Sequence, residues 1–415
     1  SEMCIRDRAM ADTYEKIIRE SEGIKGNREK QIEHARAIWY RGWIAEEIDQ
    51  FCRSQEVMDV SGRRHKGLLT GEDMANWEAT YDKPVTYDYG NYTVCKCGPW
   101  SQGPVLLQQL AILDGLGVGS MDPTGPDFVH TVVESAKLAF ADREAYYGDP
   151  AFIDVPMTEL LSSEYNKQRR ALIGQQASEK LIPGKIDGYL GSIDKAIDDR
   201  SGITVSASLG AGEPTVAKTG VSTGDTVHLD IIDKFGNMVS CTPSGGWLQS
   251  SPIIPKLGFC LGNRGQMFWL DENSPSALVP CKRPRTTLSP SLALKDGKPF
   301  MVFGTPGGDQ QDQWSTLMFL HHADHRMNLQ ESIDCPAFHT DHFPSSFWPR
   351  AYQSKKVVLE GRFPDSTISE LKRRGHDIEI GEPWSEGRLT AASSDGSTLK
   401  AAANARGMQG YAAGR

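Results

Sequence analysis

Three short stretches in the second half of the sequence carry residue types that together could form a chemical site. Thr226 opens a stretch in which apolar residues alternate, and a threonine hydroxyl is a nucleophile that a neighbouring base can activate. Gly307 and Gly308 can present two backbone N–H groups to an oxyanion without obstruction by a Cβ atom. Residues 283–290 add hydroxyl and guanidinium groups, which can hold a carboxylate. Each stretch alone is typical of a strand start, a turn or a solvated loop, so only their combination indicates a site.

The composition of the chain excludes several classes of protein. The 415 residues are enough for two or three average domains or for one large one. With 39% hydrophobic and 24% charged residues, the chain is neither disordered nor fibrous. A net charge of −9 argues against a nucleic-acid partner, and no run of apolar residues is long enough to predict a membrane span. Eight cysteines without a CxxC pair indicate reduced thiols.

The apolar periodicity predicts an α+β layered fold, in which hairpins are covered by helices. Apolar residues at spacings of three and four predict helices within 9–55 and at 103–114, 128–147, 313–325 and 368–374. Alternation predicts strands at 84–98, 226–232, 238–242, 291–295 and 300–303.

Two segments differ from the rest in composition. Residues 1–8 have neither the apolar core of a signal peptide nor an amphipathic period, and we interpret them as a non-native cloning scar that replaces authentic upstream sequence. The compartment of the protein is therefore not predictable. Residues 176–225 are rich in small and polar residues without any period, which predicts a flexible, exposed tail.

A set of short motifs lies along the chain, at 66–76, 98–113, 136–143, 147–150, 224–229, 233–237, 282–290 and 304–308. By the order and spacing of these motifs, the chain from about residue 9 to residue 415 resembles the γ-glutamyltransferase (glutathione hydrolase) family of N-terminal-nucleophile hydrolases. The resemblance implies a four-layer αββα sandwich that lacks part of its N-terminal region here. It implies no metal and no other cofactor.

The resemblance also implies an enzyme that cleaves its own precursor between Asp225 and Thr226. Residues 9–225 would belong to the large subunit and residues 226–415 to the small subunit, and the two would stay packed together. The amine released at Thr226 has a reference pKa near 7.7–8.0, so it can act as general base for the Thr226 hydroxyl. The acyl group of a small amide or γ-glutamyl substrate would then pass to water or to an amine.

Motif position assigns further residues to this site. Ser244 matches a threonine that hydrogen-bonds the nucleophile, and the two glycines match the oxyanion pair. Three residues match substrate-binding positions: Thr286 and Thr287, which would bind the α-carboxylate of a glutamyl group, and Asn263 in the substrate loop.

Departures from the family pattern leave the substrate open. The family's substrate loop ends in an aspartate that binds the α-ammonium group, whereas this chain has Met267 there, or Phe268 and Trp269 in a second alignment. Gly246 replaces a substrate-binding asparagine, and the family's N-terminal carboxylate-clamping arginine has no equivalent in this sequence. The alternatives are an acylase acting on other amides, as in the related cephalosporin acylases, and a catalytically silent binding protein.

Two groups of side chains have both a functional and a structural interpretation. Aromatic side chains near the substrate loop could line an apolar pocket, although core packing is the more ordinary role; they are Trp247, Phe268 and Trp269. Histidines with zinc-compatible spacing are better interpreted as capping or solvated residues; they are His321, His322, His325, His339 and His342.

Overall fold

The computed structural model describes residues 2–58, 62–189, 191, 226–246, 251–347, 350–406 and 410–414. Asp225, Trp247 and most of the predicted tail lie outside the described residues. The α-helices within the described part are α1 (Glu2–Glu22), α2 (Arg28–Arg41), α3 (Trp43–Ser54), α4 (Gly71–Ala75), α5 (Pro104–Leu113), α6 (Pro126–Tyr146), α7 (Met157–Leu160), α8 (Ser163–Arg170), α9 (Gln311–Ala323), α10 (Leu329–Asp334) and α11 (Asp365–Arg373).

The strands of the described residues form five sheets. In chain order they are β1 (Val57–Met58), β2 (Arg64–His65), β3 (Val85–Tyr89), β4 (Tyr92–Lys96), β5 (Leu229–Ile232), β6 (Met238–Cys241), β7 (Ile253–Ile254), β8 (Phe259–Cys260), β9 (Ser291–Lys295), β10 (Lys298–Gly304), β11 (Phe338–Thr340), β12 (Lys356–Leu359), β13 (Asp377–Ile380), β14 (Thr390–Ser394) and β15 (Leu399–Ala403).

The chain divides into two compact units, of which the first contains residues 1–81 and 247–263. Helices α1–α3 of this unit confirm the helical region predicted within residues 9–55. Helix α1 also contains residues 2–8, whose assignment as non-native stays a prediction. On α3, apolar side chains four residues apart turn inward, and they pack against the segment that carries β7 and β8. The buried cluster consists of Ile38, Ile44, Ile48, Cys52, Ile254 and Leu257.

The second unit, residues 82–246 and 264–415, is built on a six-stranded antiparallel sheet of order β15-β14-β10-β9-β4-β3. The prediction of a single strand at 84–98 was wrong, because the chain reverses between Tyr89 and Tyr92 to form a hairpin. The reversal occurs at Gly90 and Asn91, two turn-forming residues inside an apparently continuous alternation. A smaller sheet of order β11-β12-β13 completes the unit.

The main core of the second unit lies between one face of the six-stranded sheet and helices α5, α6 and α9. Aromatic rings join the layers: Phe319 of α9 stacks on Phe303 of β10, with 6.0 Å between ring centroids. Helix α6 is buried on nearly all sides, and its buried residues include charged ones such as Arg143. In the part of the chain that the structure describes, no helix combines the length and apolarity needed to cross a membrane.

The β5-β6 hairpin packs on the opposite face of the six-stranded sheet. Its polar side chains point toward that sheet: Ser240 Oγ donates to the Phe303 carbonyl (3.4 Å), and Asp230 accepts a hydrogen bond from Thr390 of β14 (2.8 Å). The apolar side chains of the same alternation are 40–56% exposed; they are Val227, Leu229, Ile231 and Val239. The hairpin is thus confirmed, with β5 beginning at Leu229 rather than at Thr226. The observed architecture confirms the α+β class.

Candidate active site

The structure brings Thr226 and Ser244 together at the open end of the β5-β6 hairpin. Thr226 is 9% exposed, and its Oγ1 donates a hydrogen bond to Ser244 Oγ over 3.0 Å. The neighbouring backbone holds this pair in register, because Val227 N donates to the Pro243 carbonyl over 3.2 Å. Ser244 Oγ also accepts a hydrogen bond from Gly246 N (3.2 Å). This arrangement can orient a hydroxyl nucleophile, and the two catalytic roles stay predictions.

A buried chain of polar side chains next to Thr226 was missed by sequence reasoning. His228 lies between Thr242 Oγ1, 2.7 Å from its Nδ1, and Asp230 Oδ2, 3.0 Å from its Nε2. The His228 side chain is fully buried and that of Asp230 is 2% exposed. A sequence signal existed, since residues 226, 228 and 230 share one face of an alternating strand. These hydrogen-bonded side chains fix the segment that leads from Thr226 into β5 against the six-stranded sheet.

Gly304, the last residue of β10, makes room for the His228 ring. A Cβ atom on Gly304 would lie 2.4 Å from His228 Cε1, well inside van der Waals contact. We expect Gly304→Ala to lower the free energy of unfolding by roughly 1–3 kcal/mol and to lower activity, because the hairpin must move away from the sheet. Denaturant unfolding and amide hydrolysis would measure the two effects.

Gly174→Ala is the matched control for this prediction, because a Cβ atom there meets nothing within 4 Å. Stability and activity of the control should match the wild type. Equal stability of Gly304→Ala and the wild type would contradict the close packing of His228 on β10.

The two glycines of the predicted oxyanion loop directly follow β10. Gly307 has a φ of 139° and Gly308 a φ of 52°, both in the region that side-chain-bearing residues rarely adopt. Gly308 opens a 3-10 turn, and the first N–H groups of a helical turn have no acceptor within it. The loop therefore has the backbone conformation and the amide donors that an oxyanion site needs.

Gln102 links this loop to the predicted carboxylate-binding pair. Its side-chain Nε2 donates to the Gly308 carbonyl (3.0 Å), and its backbone N donates to the Thr286 carbonyl (2.9 Å). Thr286 is 8% exposed, and within the described residues its Oγ1 has no hydrogen-bond partner. The structure thus brings Thr286 next to the loop, whereas Asn263 belongs to the first unit, and the substrate-binding roles stay predictions.

A cation lies beside Thr287 on the segment that follows Asn263. Arg264 Nη1 donates to Thr287 Oγ1 over 3.2 Å and also lies 3.6 Å from the sulfur of the buried Met267. Sequence reasoning did not single out Arg264. The predicted substrate loop therefore presents a guanidinium group and a thioether to this region.

Arg350 holds the backbone of the same loop through two hydrogen bonds. Its Nη2 donates to the backbone carbonyls of Gln266 (2.9 Å) and Phe268 (2.8 Å), and its guanidinium lies 4.3 Å from the Trp269 ring centroid. Trp269 thus makes a cation–π contact with Arg350, a contact that the sequence analysis did not predict.

The five histidines with zinc-compatible spacing do not form a metal-ligand group among the described residues. His321 is buried, and its Nδ1 lies 3.3 Å from the Ser332 carbonyl. His339 is held by Glu386, 2.6 Å from its Nδ1, and the carboxylates of Glu386 and Asp341 outweigh burial and raise the pKa of His339 to about 10. His321 and His339 are thus buried and hydrogen-bonded rather than solvated.

A different group, His130, Glu134 and His376, is compact enough for a metal ion within the described part of the chain. Its ligand atoms are used by protein groups: the two histidines hydrogen-bond each other over 2.8 Å, and Glu134 pairs with Lys137 over 2.6 Å. The contacts fit a buried hydrogen-bond network.

A surface cavity of about 350 Å³ near Phe152 is lined by none of the predicted site residues.

Comparison with known proteins identifies the family. The profile described as Gamma-glutamyltranspeptidase matches residues 2–414, nearly the whole chain. The chain belongs to this family. Among solved structures, LmbA2991HD is 49% identical with a TM-score of 0.86 and covers 98% of this chain, which in turn covers 68% of that protein. The match confirms the N-terminal-nucleophile hydrolase fold implied by the sequence motifs.

Relatives within the γ-glutamyltranspeptidase family differ in their stated substrates. The glutathione hydrolase-like YwrD proenzyme of Bacillus subtilis is 31% identical over 84% of this chain and 56% of its own length. Cephalosporin acylase from Bacillus halodurans is 28% identical, with a TM-score of 0.70, over 91% of this chain and 60% of that structure. The chain spans about half the length of the curated relatives that it matches.

Proposed function

We propose that the chain is part of a self-cleaving amidohydrolase or acyltransferase of the γ-glutamyltranspeptidase type. Cleavage between Asp225 and Thr226 releases the Thr226 amine, which takes the proton of the Thr226 hydroxyl as that oxygen attacks an amide carbonyl. The amine leaving group departs with that proton, and the resulting acyl-enzyme ester is resolved by water or by an acceptor amine. Gly307 and Gly308 donate hydrogen bonds to the oxyanion that forms in each step.

The observation that carries this proposal is the hydrogen bond from Thr226 Oγ1 to Ser244 Oγ, on a hairpin anchored to the strand that leads into Gly307 and Gly308. A nucleophile and an oxyanion site must lie on elements that cannot move apart, because the reacting atoms need near-contact geometry. The packing of His228 on Gly304 provides such an anchor, three residues before the glycine pair.

The test is to look for the acyl-enzyme directly. The protein in its natural length is mixed with an excess of an amide substrate, quenched within seconds, and the mass of the fragment that begins at Thr226 is measured. We expect a mass increase equal to one acyl group, carried on Thr226. No adduct with any amide in a broad panel, combined with tight binding of one of them, would favour the catalytically silent binding protein instead.

The residues of the substrate loop favour acyl groups without an α-ammonium group. Met267 is 1% exposed, and its thioether offers no carboxylate with which an ammonium could pair. A charge-assisted hydrogen bond contributes about 1.5–3 kcal/mol, or roughly 10–100-fold in affinity. This loop therefore favours the acylase alternative, which we keep beside γ-glutamyl transfer as a second candidate function.

We expect kcat/KM for glutathione to be roughly 10–100-fold below that for a matched amide whose acyl group lacks the free α-ammonium, because the ammonium finds no acidic partner. Initial rates with glutathione and with its N-acetylated form make the comparison at one leaving group. A clear preference for glutathione would defeat this prediction and assign the ammonium contact to another acid, with Asp271 as the candidate within the same segment.

A further inference from the structure

A buried polar network lies directly behind the Gly307–Gly308 loop. Arg143 of α6 donates through Nη1 both to Asp309 Oδ1 (2.5 Å) and to Gln102 Oε1 (2.8 Å). Gln102 in turn donates through Nε2 to the Gly308 carbonyl (3.0 Å). The side chains of this network are all buried. One guanidinium group thus holds the loop twice, directly through Asp309 and through Gln102 at Gly308.

Asp309 is held from a second side as well. Ser346 donates its Oγ to Asp309 Oδ1 (2.6 Å) and its backbone N to Asp309 Oδ2 (2.8 Å). Burial raises the pKa of the Asp309 carboxyl, but the Arg143 charge and the Ser346 donors outweigh it, so that the pKa lies below its ordinary value. The ionised pair is costly to break in the protein interior, because without Arg143 the Asp309 carboxylate would be a buried charge with no cation. Without Asp309, Arg143 would keep its second buried ion pair, with Glu144 (2.7 Å).

We propose that Gln102, Arg143 and Asp309 are positioning residues that fix the direction of the Gly307 and Gly308 N–H groups. The inference rests on the proposed function, because it takes these N–H groups as the oxyanion donors. Glycines have the freest backbone of all residues, so a loop of two glycines needs outside restraints to keep its donors aimed. Donors that are already oriented need no reorganisation when the oxyanion forms, which is the source of their catalytic effect.

Asp309→Asn tests this role with little change in shape. Its Nδ2 group would face the Ser346 N–H, placing two donors together, and the carboxylate charge opposite Arg143 would be lost. We expect kcat per cleaved active site to fall roughly 10–100-fold, since small misplacements of catalytic groups have effects of this size. KM should stay within about threefold of the wild type, because in our proposal the network does not touch the substrate.

Gln102→Met provides an independent variant, because it removes the donor to the Gly308 carbonyl without removing the Arg143–Asp309 pair. It should show the same loss of kcat at unchanged KM. In a Gly308→Ala background, Asp309→Asn or Gln102→Met should lower kcat by a much smaller factor than in the wild type. The reason is that each substitution acts through the glycine loop, which Gly308→Ala has already displaced.

The control is Glu134→Gln on the same helix α6. Glu134 forms a buried ion pair with Lys137 (2.6 Å) and accepts from Ser178 N, so its loss perturbs the helix without reaching the loop. The melting temperature of Glu134→Gln should fall about as much as that of Asp309→Asn, while its kcat stays within twofold of the wild type.

The outcomes separate the inference from the proposed function. A wild-type protein that forms no acyl-enzyme at Thr226 would remove the proposed function itself. A wild type that forms the acyl-enzyme, together with folded Gln102→Met or Asp309→Asn protein of normal kcat, would overturn the positioning role. A loss of kcat in Glu134→Gln as large as in Asp309→Asn would also overturn it. Disrupting any buried ion pair of the protein would then lower kcat, whether or not the pair contacts the loop.

Discussion

Thr226→Ala is expected to remain a single uncut chain and to have no measurable amide hydrolysis. The Thr226 hydroxyl is the group that would attack the preceding carbonyl during self-cleavage and the substrate carbonyl during turnover, so one substitution removes both reactions. In the wild type, intact-mass analysis should find a fragment whose first residue is Thr226. The loss should reach the detection limit, the largest effect expected for any substitution in this chain.

Thr226→Ser is the matched variant, because it keeps the hydroxyl and loses only a methyl group. It should still be cleaved and should still hydrolyse amides, at a lower rate. The hydrogen bond to Ser244, 3.0 Å in the structure, can be made by a serine hydroxyl as well. An uncut wild-type chain that hydrolyses amides would refute self-cleavage as the route to the active enzyme.

Local patterns in the sequence were sufficient to predict most of the elements that carry the site. The helix predicted at 128–147 is observed as α6 (Pro126–Tyr146), and the predicted Asp233–Asn237 turn joins β5 to β6. These predictions succeeded because each rests on a period or a turn signal within one segment. The motif order likewise predicted the family that the profile match shows.

Patterns within one segment could not predict which face of the hairpin turns inward. Alternation in 226–232 is equally compatible with either face against the sheet, and the usual expectation buries the apolar side chains. In the structure the polar face, with His228 and Asp230, packs on β10 and β14, while Ile231 is 53% exposed. The sheet residues that these side chains meet, Thr390 at Asp230 and Gly304 at His228, lie far away in sequence, so no local signal exists for the choice.

The network behind the glycine loop was beyond sequence reasoning for the same reason. Gln102, Arg143 and Asp309 come from three distant segments, and no pattern within one segment pairs them with one another. Only the packed arrangement makes them mutually dependent, since each buried polar atom needs a partner supplied by another segment. The pairing of Arg264 with Thr287 is a second contact of this kind.

Gly308→Val has the second-largest expected effect. Gly308 has a φ of 52°, which a β-branched residue adopts at considerable cost, and its side chain would crowd the space in front of the amide donors. Losing one oxyanion donor lowers the rate by roughly 10²–10³-fold, and we expect kcat to fall by about that factor. Turnover of a fast amide substrate, normalised to the amount of cleaved chain, measures the effect.

Backbone strain alone must be separated from the loss of the donor, and Gly297→Val does so. Gly297 has a φ of 74° in the turn between β9 and β10, where a Cβ atom meets nothing within 4 Å. Both substitutions should lower the melting temperature, because both force a β-branched residue into the left-handed region, yet Gly297→Val should keep its kcat. If Gly308→Val stays within a few-fold of the wild type while it is equally destabilised, the glycine pair is only a turn, and the oxyanion donors must come from elsewhere in the chain.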